Sequence, residues 1–161
     1  MPMVQSFWLL GVVSLGLFVG LAVYLAPLKP GILELQFAFT PNAFAAVLHQ
    51  WSPADLQRYR SHFPADFILL LCYGTFGVLS VRAIAAFNSA SSRLKRLATL
   101  TLPCAAVFDA IENSIHLWLS AAPRFGFASM YLASGSVALA KWLLFIGFAV
   151  LITRALLQTE A

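Results

Sequence analysis

Charge is scarce in this chain: only 10% of its 161 residues are Asp, Glu, Lys or Arg, against about 25% in an ordinary soluble domain. With 61% hydrophobic residues and a mean hydropathy of +0.85, that scarcity excludes a water-soluble globule, a disordered chain and a nucleic-acid partner. Cysteine is equally sparse. Cys72 and Cys104 sit in apolar stretches without CxxC spacing, which excludes a zinc cluster and a disulfide framework and leaves two buried, inert thiols as the expectation. No phosphate loop or glycine-rich nucleotide motif occurs. Ser114, Ser134 and Ser136 lack a neighbouring His and acid in any recognised order for a nucleophile.

Long apolar runs are what the chain does have. No charged residue falls between Pro2 and Leu28, and about 20 apolar residues suffice for a helix to cross the hydrocarbon core. Neither a basic start nor a small-x-small cleavage site marks this run as a signal peptide, so it reads as an uncleaved first span, 7–26. Within it, Gly16-x-x-x-Gly20 permits close helix approach. Three more runs follow at 65–87, 98–119 and 127–152. The expected fold is all-α: an integral membrane four-helix bundle, one domain over 1–161, with a short helical cap at 27–64 between spans one and two.

The segment 83–97, with Arg93, Lys95 and Arg96 and with Arg82 reaching toward it, is the most basic short loop. The bias of Lys and Arg toward the cytoplasm then places both chain termini in the cytoplasm of a bacterial inner membrane and the cap outside. In the cap, Thr40-Pro41 and Ser52-Pro53 each pair an N-cap residue with proline at the first helical position. Asp55 completes a capping box three residues after Ser52. Two short helices are predicted there, preceded by an extended, strand-like crossing at 32–37, where apolar residues partly alternate.

The few charges fall where a bilayer resists them. At about 100° per residue, Asp109, Glu112, Asn113 and His116 of span three share one face. A carboxylate at mid-helix costs on the order of 3 kcal/mol to insert, so such a face turns toward the bundle interior. Lys141 lies mid-way along span four and is the expected ion-pair partner of Asp109, with Tyr131 and Ser134 on its stripe. Asp66 and Tyr73 share a face of span two, and Arg58, Tyr59 and His62 form the outer rim. These positions predict a polar pocket, open outward and closed at the other end by Leu100, Leu102, Pro103, Leu144 and Phe145.

Two carboxyls in different settings, Asp109 paired with Lys141 and Glu112 free to carry a proton, suit acid–base work on a small amphipathic molecule or lipid. Asn113 and Tyr131 would orient its polar head. The competing reading is a non-catalytic subunit of a larger membrane complex, its buried charges serving helix packing. A metal on Asp109, Glu112 and His116 is disfavoured: the Glu-to-His gap is four residues rather than the three of di-iron bundles, and the chain has only three histidines. No cofactor is expected. The expected partners are membrane lipid and an amphipathic ligand, or the larger complex.

Four pieces of the chain, taken in order, resemble a family of uncharacterised bacterial four-span membrane proteins. They are Leu33-Glu34-Leu35-Gln36 ahead of Thr40-Pro41, Arg58-x-Arg60 ahead of Asp66, Asp109-x-x-Glu112-Asn113 in span three, and Lys141-Trp142. The resemblance implies the architecture and marks Asp66, Asp109, Glu112, Asn113 and Lys141; it implies no activity.

Overall fold

The computed structural model describes residues 2–88 and 90–157, which are all-α, with no strand among them. Its elements are α1 (Pro2–Leu25), α2 (Ile32–Gln36), α3 (Pro41–Gln50), α4 (Pro53–Ser61), α5 (Phe63–Ala83), a 3-10 turn (Ala85–Phe87), α6 (Ser92–Leu119) and α7 (Ala128–Leu157). Three stretches are long and apolar enough to cross a membrane: Gln5–Leu25, the α4–α5 run Pro53–Ala83, and Ala128–Leu157. α6 is 28 residues long, carries Arg93, Lys95, Arg96, Asp109 and Glu112, and is not among these three stretches.

α6 packs between α5 and α7, and α1 packs on α5. Missing side chains bring α5 and α6 together. A Cβ on Gly77 would stand 2.6 Å from Leu102 Cβ, and one on Gly74 would stand 3.3 Å from Ala106 Cβ. α1 meets α5 through Gly11, which faces the Phe76 ring, and through Phe7, stacked on Phe76 with ring centroids 5.1 Å apart. A Cβ on Gly16 or Gly20 would meet nothing within 4 Å, so no helix among the described residues presses on the face that the Gly16-x-x-x-Gly20 pair leaves open.

The cap starts its helices where its sequence signals lie. Thr40 Oγ1 accepts from Ala43 N at 3.2 Å. Ser52 Oγ accepts from Asp55 N at 3.1 Å while Asp55 Oδ2 accepts from Ser52 N at 3.2 Å, a reciprocal capping box. Beneath these helices Leu28, Leu35, Phe44, Phe63 and Leu119 are buried in one cluster. Trp51 fixes the connection by donating Nε1–H to the Pro30 carbonyl at 2.9 Å.

Four expectations need correction. The 32–37 stretch is a single helical turn followed by Phe37, not an extended crossing: Ile32 and Leu35, three residues apart, turn into the same apolar cluster, and an extended chain would point them to opposite faces. The second span ends at Ala83 rather than 87. α6 begins at Ser92, because the Ser91 side chain accepts from Leu94 N at 3.3 Å, so Arg93, Lys95 and Arg96 form its first turns rather than a loop. Cys104 is exposed on the outer side of α6 and Cys72 is half-buried, so neither is a core thiol.

Candidate functional site

α6 supplies the polar face. Asp109, Glu112, Asn113 and His116 recur at three- and four-residue steps and retain 7%, 1%, 4% and 3% of their surface. The opposite side of the same helix carries exposed Leu100, Val107 and Ile111, so the helix separates polar from apolar sharply. From α7, Lys141 Nζ reaches Asp109 Oδ1 and Glu112 Oε2, both at 2.7 Å. One ammonium thus holds two carboxyls a single helical turn apart. Asp109 Oδ2 also accepts from the Tyr73 hydroxyl at 3.2 Å, which ties α5 into the same centre.

Nearer the cap, Asn113 Nδ2 donates to Asp66 Oδ2 at 2.6 Å. His116 Nδ1 meets the Tyr59 hydroxyl at 2.7 Å, and His62 Nδ1 bonds to the Tyr59 carbonyl. The rings of Phe44 and His116 pack edge to face with centroids 5.3 Å apart. α4, α5, α6 and α7 all contribute, in three groups of contacts strung along α6: Tyr73, Asp109, Lys141 and Glu112; Asp66 and Asn113; and His62, Tyr59 and His116. Asp109 is fully engaged, whereas Glu112 Oε1 and His116 Nε2, like Ser14 Oγ on α1 and Ser134 Oγ on α7, are buried with no hydrogen-bond partner among the described residues. Buried polar atoms are rarely left so, because each costs about 1–3 kcal/mol.

Both residues line a cavity of about 950 Å³. One wall is the polar face of α6 with Lys141, Trp142 and Phe145 of α7; the other is a face of α1 containing Ser14, Leu15, Phe18 and Ala22. Segment 28–36 lies across the cap end, where Trp142 Nε1 donates to Gln36 Oε1 at 3.2 Å. Leu102 and Phe148 line the opposite end. The site is therefore an apolar cleft with its polar groups concentrated on one wall.

Asp66, Tyr73, Asp109, Glu112, Asn113, His116 and Lys141 gather around the cavity, with Tyr59 and His62 above them. Tyr131, Ser134 and Arg58 do not line it. Tyr131 is fully buried under the cap, packed edge to face on Phe44, with its hydroxyl accepting from Arg124 N at 2.8 Å. Its stripe on α7 matches that of Lys141, but ten residues of helix separate the two by about 15 Å. Ser134 is buried on the same stripe. Arg58 turns outward, 3.8 Å from Asp55 and with its guanidinium 5.8 Å from the centre of the Tyr24 ring. At the closed end Leu102 and Phe145 line the cavity, whereas Leu100 points away and is exposed.

Sequence reasoning missed the α1 wall, since a helix apolar on every side shows no preferred face, and it gave Trp142 and Gln36 no role. The dyad Lys141-Trp142 was the available signal. For a metal, the geometry offers little: Lys141 stands between Asp109 and Glu112 where a cation would sit, Tyr59 occupies His116 Nδ1, and among the described residues no three His, Cys, Asp or Glu side chains converge as a metal site. Comparison with protein-family models, with curated proteins and with solved structures finds no match to this chain.

Proposed function

We propose that the chain is a four-span protein of a bacterial inner membrane whose buried polar cleft binds, and is equipped to transform, a small amphipathic molecule or lipid. α6 completes the bundle as the fourth span. Its charges at mid-length face Lys141 rather than lipid, and its outward side is apolar. Arg82, Arg93, Lys95, Arg96 and Arg154 belong to the ends of α5, α6 and α7 away from the cap, which supports that end as cytoplasmic with both chain termini. The likeness to bacterial four-span proteins belongs to this same proposal.

The observation that carries the binding reading is the coincidence of a 950 Å³ cavity with lining residues that hold buried polar atoms without a hydrogen-bond partner among the described residues: Glu112 Oε1 and His116 Nε2 on α6 and Ser14 Oγ on α1. A network serving only to hold helices together would close on itself, as Asp109 does with Tyr73 and Lys141. Glu112 supplies a carboxyl for proton transfer beside a fixed ammonium, and Asp109 holds that ammonium in place.

Purification in a mild detergent followed by mass spectrometry of extracted small molecules tests the reading. A molecule retained at near one per chain, and lost in a folded Glu112→Gln variant, is the expected result. An empty protein, with Glu112→Gln altering only its stability or its capture of a larger membrane protein, would favour the assembly-subunit role.

A further inference from the structure

Of the cavity-lining residues with an unpartnered buried atom, Ser14 on α1 carries a hydroxyl that can donate or accept, whereas the two on α6 have opposite hydrogen-bonding character. Among the described residues the buried Tyr59 hydroxyl has one hydrogen-bond partner, His116 Nδ1. If Nδ1 carried the proton, the hydroxyl hydrogen would be stranded in the core, so the phenol donates and Nδ1 accepts. His116 Nε2 then carries the ring proton and is a donor without an acceptor. Glu112 Oε1 is an acceptor without a donor. The two residues are four positions apart on α6, which sets their Cβ atoms about 5–6 Å apart on one face, so a ligand hydroxyl that seats between the two side chains would serve both. The place an ammonium head would take, between Asp109 and Glu112, is already filled by Lys141.

The route to this point is equally specific. α1 packs on α5 but not comparably on α7, so the long side of the cleft is the gap between α1 and α7. That gap is flanked by exposed Leu15 and Phe18 and by Phe145, side chains suited to acyl chains rather than to water.

Resting on the binding reading above, we propose that the ligand is an uncharged alcohol dissolved in the membrane, which slides in sideways between α1 and α7. Its hydroxyl donates to Glu112 Oε1 and accepts from His116 Nε2, and its chain lies along α1. This pairing satisfies both open atoms of α6 at once and leaves Ser14 Oγ beside the chain on α1. An ester or ether head could satisfy only His116, and an ammonium only Glu112.

The test uses the full chain in nanodiscs with radiolabelled oleyl alcohol, competed by oleylamine, oleic acid and methyl oleate, which share its tail. Oleyl alcohol should bind about tenfold more tightly than the amine or the methyl ester, the difference of one buried hydrogen-bonding group left unmatched. In Glu112→Gln, Lys141 keeps the amide oxygen and the amide nitrogen turns to the cavity. Alcohol binding then falls about tenfold while methyl oleate binding holds or rises. For the route, Leu15→Cys and Phe145→Cys, placed in a Cys72→Ser, Cys104→Ser background, are bridged with a disulfide-containing bismaleimide. Bridging should block uptake and reduction should restore it.

Equal binding of all four probes, preference for the amine or the acid, or uptake indifferent to the bridge would each overturn the inference while leaving a binding cleft standing. Binding of none of the probes would remove the cleft's function as well. Should Glu112→Gln not fold, the competition series on the native chain decides alone.

Discussion

The hydroxyl of Tyr59 lies 2.7 Å from Nδ1 of His116, a bond made across 57 residues of chain between two fully buried side chains. It joins the short helices of the cap to the polar face of α6, and it fixes which nitrogen of His116 is left for the cleft. Tyr59→Phe removes the donor, strands Nδ1 and leaves the packing of the ring intact. A loss of about 1–3 kcal/mol is expected, read as a lower melting temperature in detergent, together with weaker ligand retention. An unchanged melting temperature would mean that the cap is held by its apolar cluster alone.

Lys141 is the sole cation in contact with both Asp109 and Glu112 among the described residues. Lys141→Met leaves two carboxyls buried without it and should cost about 3–5 kcal/mol, seen as sharply reduced yield of monodisperse protein. Combining it with Asp109→Leu and Glu112→Gln removes the stranded charge and should recover most of that yield. Failure of the triple variant to recover would show that the network does more than balance charge.

Gly77 and Gly16 give opposite expectations for the same substitution. Gly77→Ala drives a Cβ to 2.6 Å from Leu102 Cβ, an atom anchored to its backbone that cannot swing aside, and about 1–3 kcal/mol of stability should be lost. Gly16→Ala meets nothing within 4 Å and should stay within about 0.5 kcal/mol of the native chain. Thermal denaturation of the two variants side by side is the measurement. A large effect at Gly16 would instead point to a contact outside this chain.

Ser52→Ala removes the acceptor for Asp55 N and unlocks the reciprocal bond from Ser52 N to Asp55. About 1 kcal/mol should be lost, with faster amide exchange at the start of α4 while α6 stays protected. Uniform loss of protection across both helices would show that cap and bundle open together.

What could be read in the sequence followed from contrast. Asp109, Glu112, Asn113 and His116 stand out because they interrupt an apolar run at helical spacing, and the cost of exposing them to lipid dictates where they point. Ser52-Pro53 with Asp55 is similarly explicit, since a cap is a local contact among a few residues. Tyr131 and Ser134 show the limit: helical phase assigns a face but not what lies opposite it, and at the depth of Tyr131 the opposing body is Phe44 of the cap. α1 shows another limit. Its role as a cavity wall depends on which helix it leans against, and a uniformly apolar helix carries no record of that choice. The 32–37 stretch reads as extended in sequence because so few residues hold too few periods to separate alternation from the helical step of α2.

The position of the Lys141 contacts bears on how the chain is made. α6 and α7 are consecutive, joined by the short segment 120–127, and each carries in mid-helix the charge that the other compensates. On the proposed four-span reading neither helix is at ease in a bilayer alone, so the two would leave the insertion machinery as a hairpin already paired. α1, with no Asp, Glu, Lys or Arg in its length, could on the same reading wait in the lipid by itself. Biogenesis then has a natural order, in which an independent first helix is joined by a charge-matched pair, and the cleft exists only once that hairpin has docked.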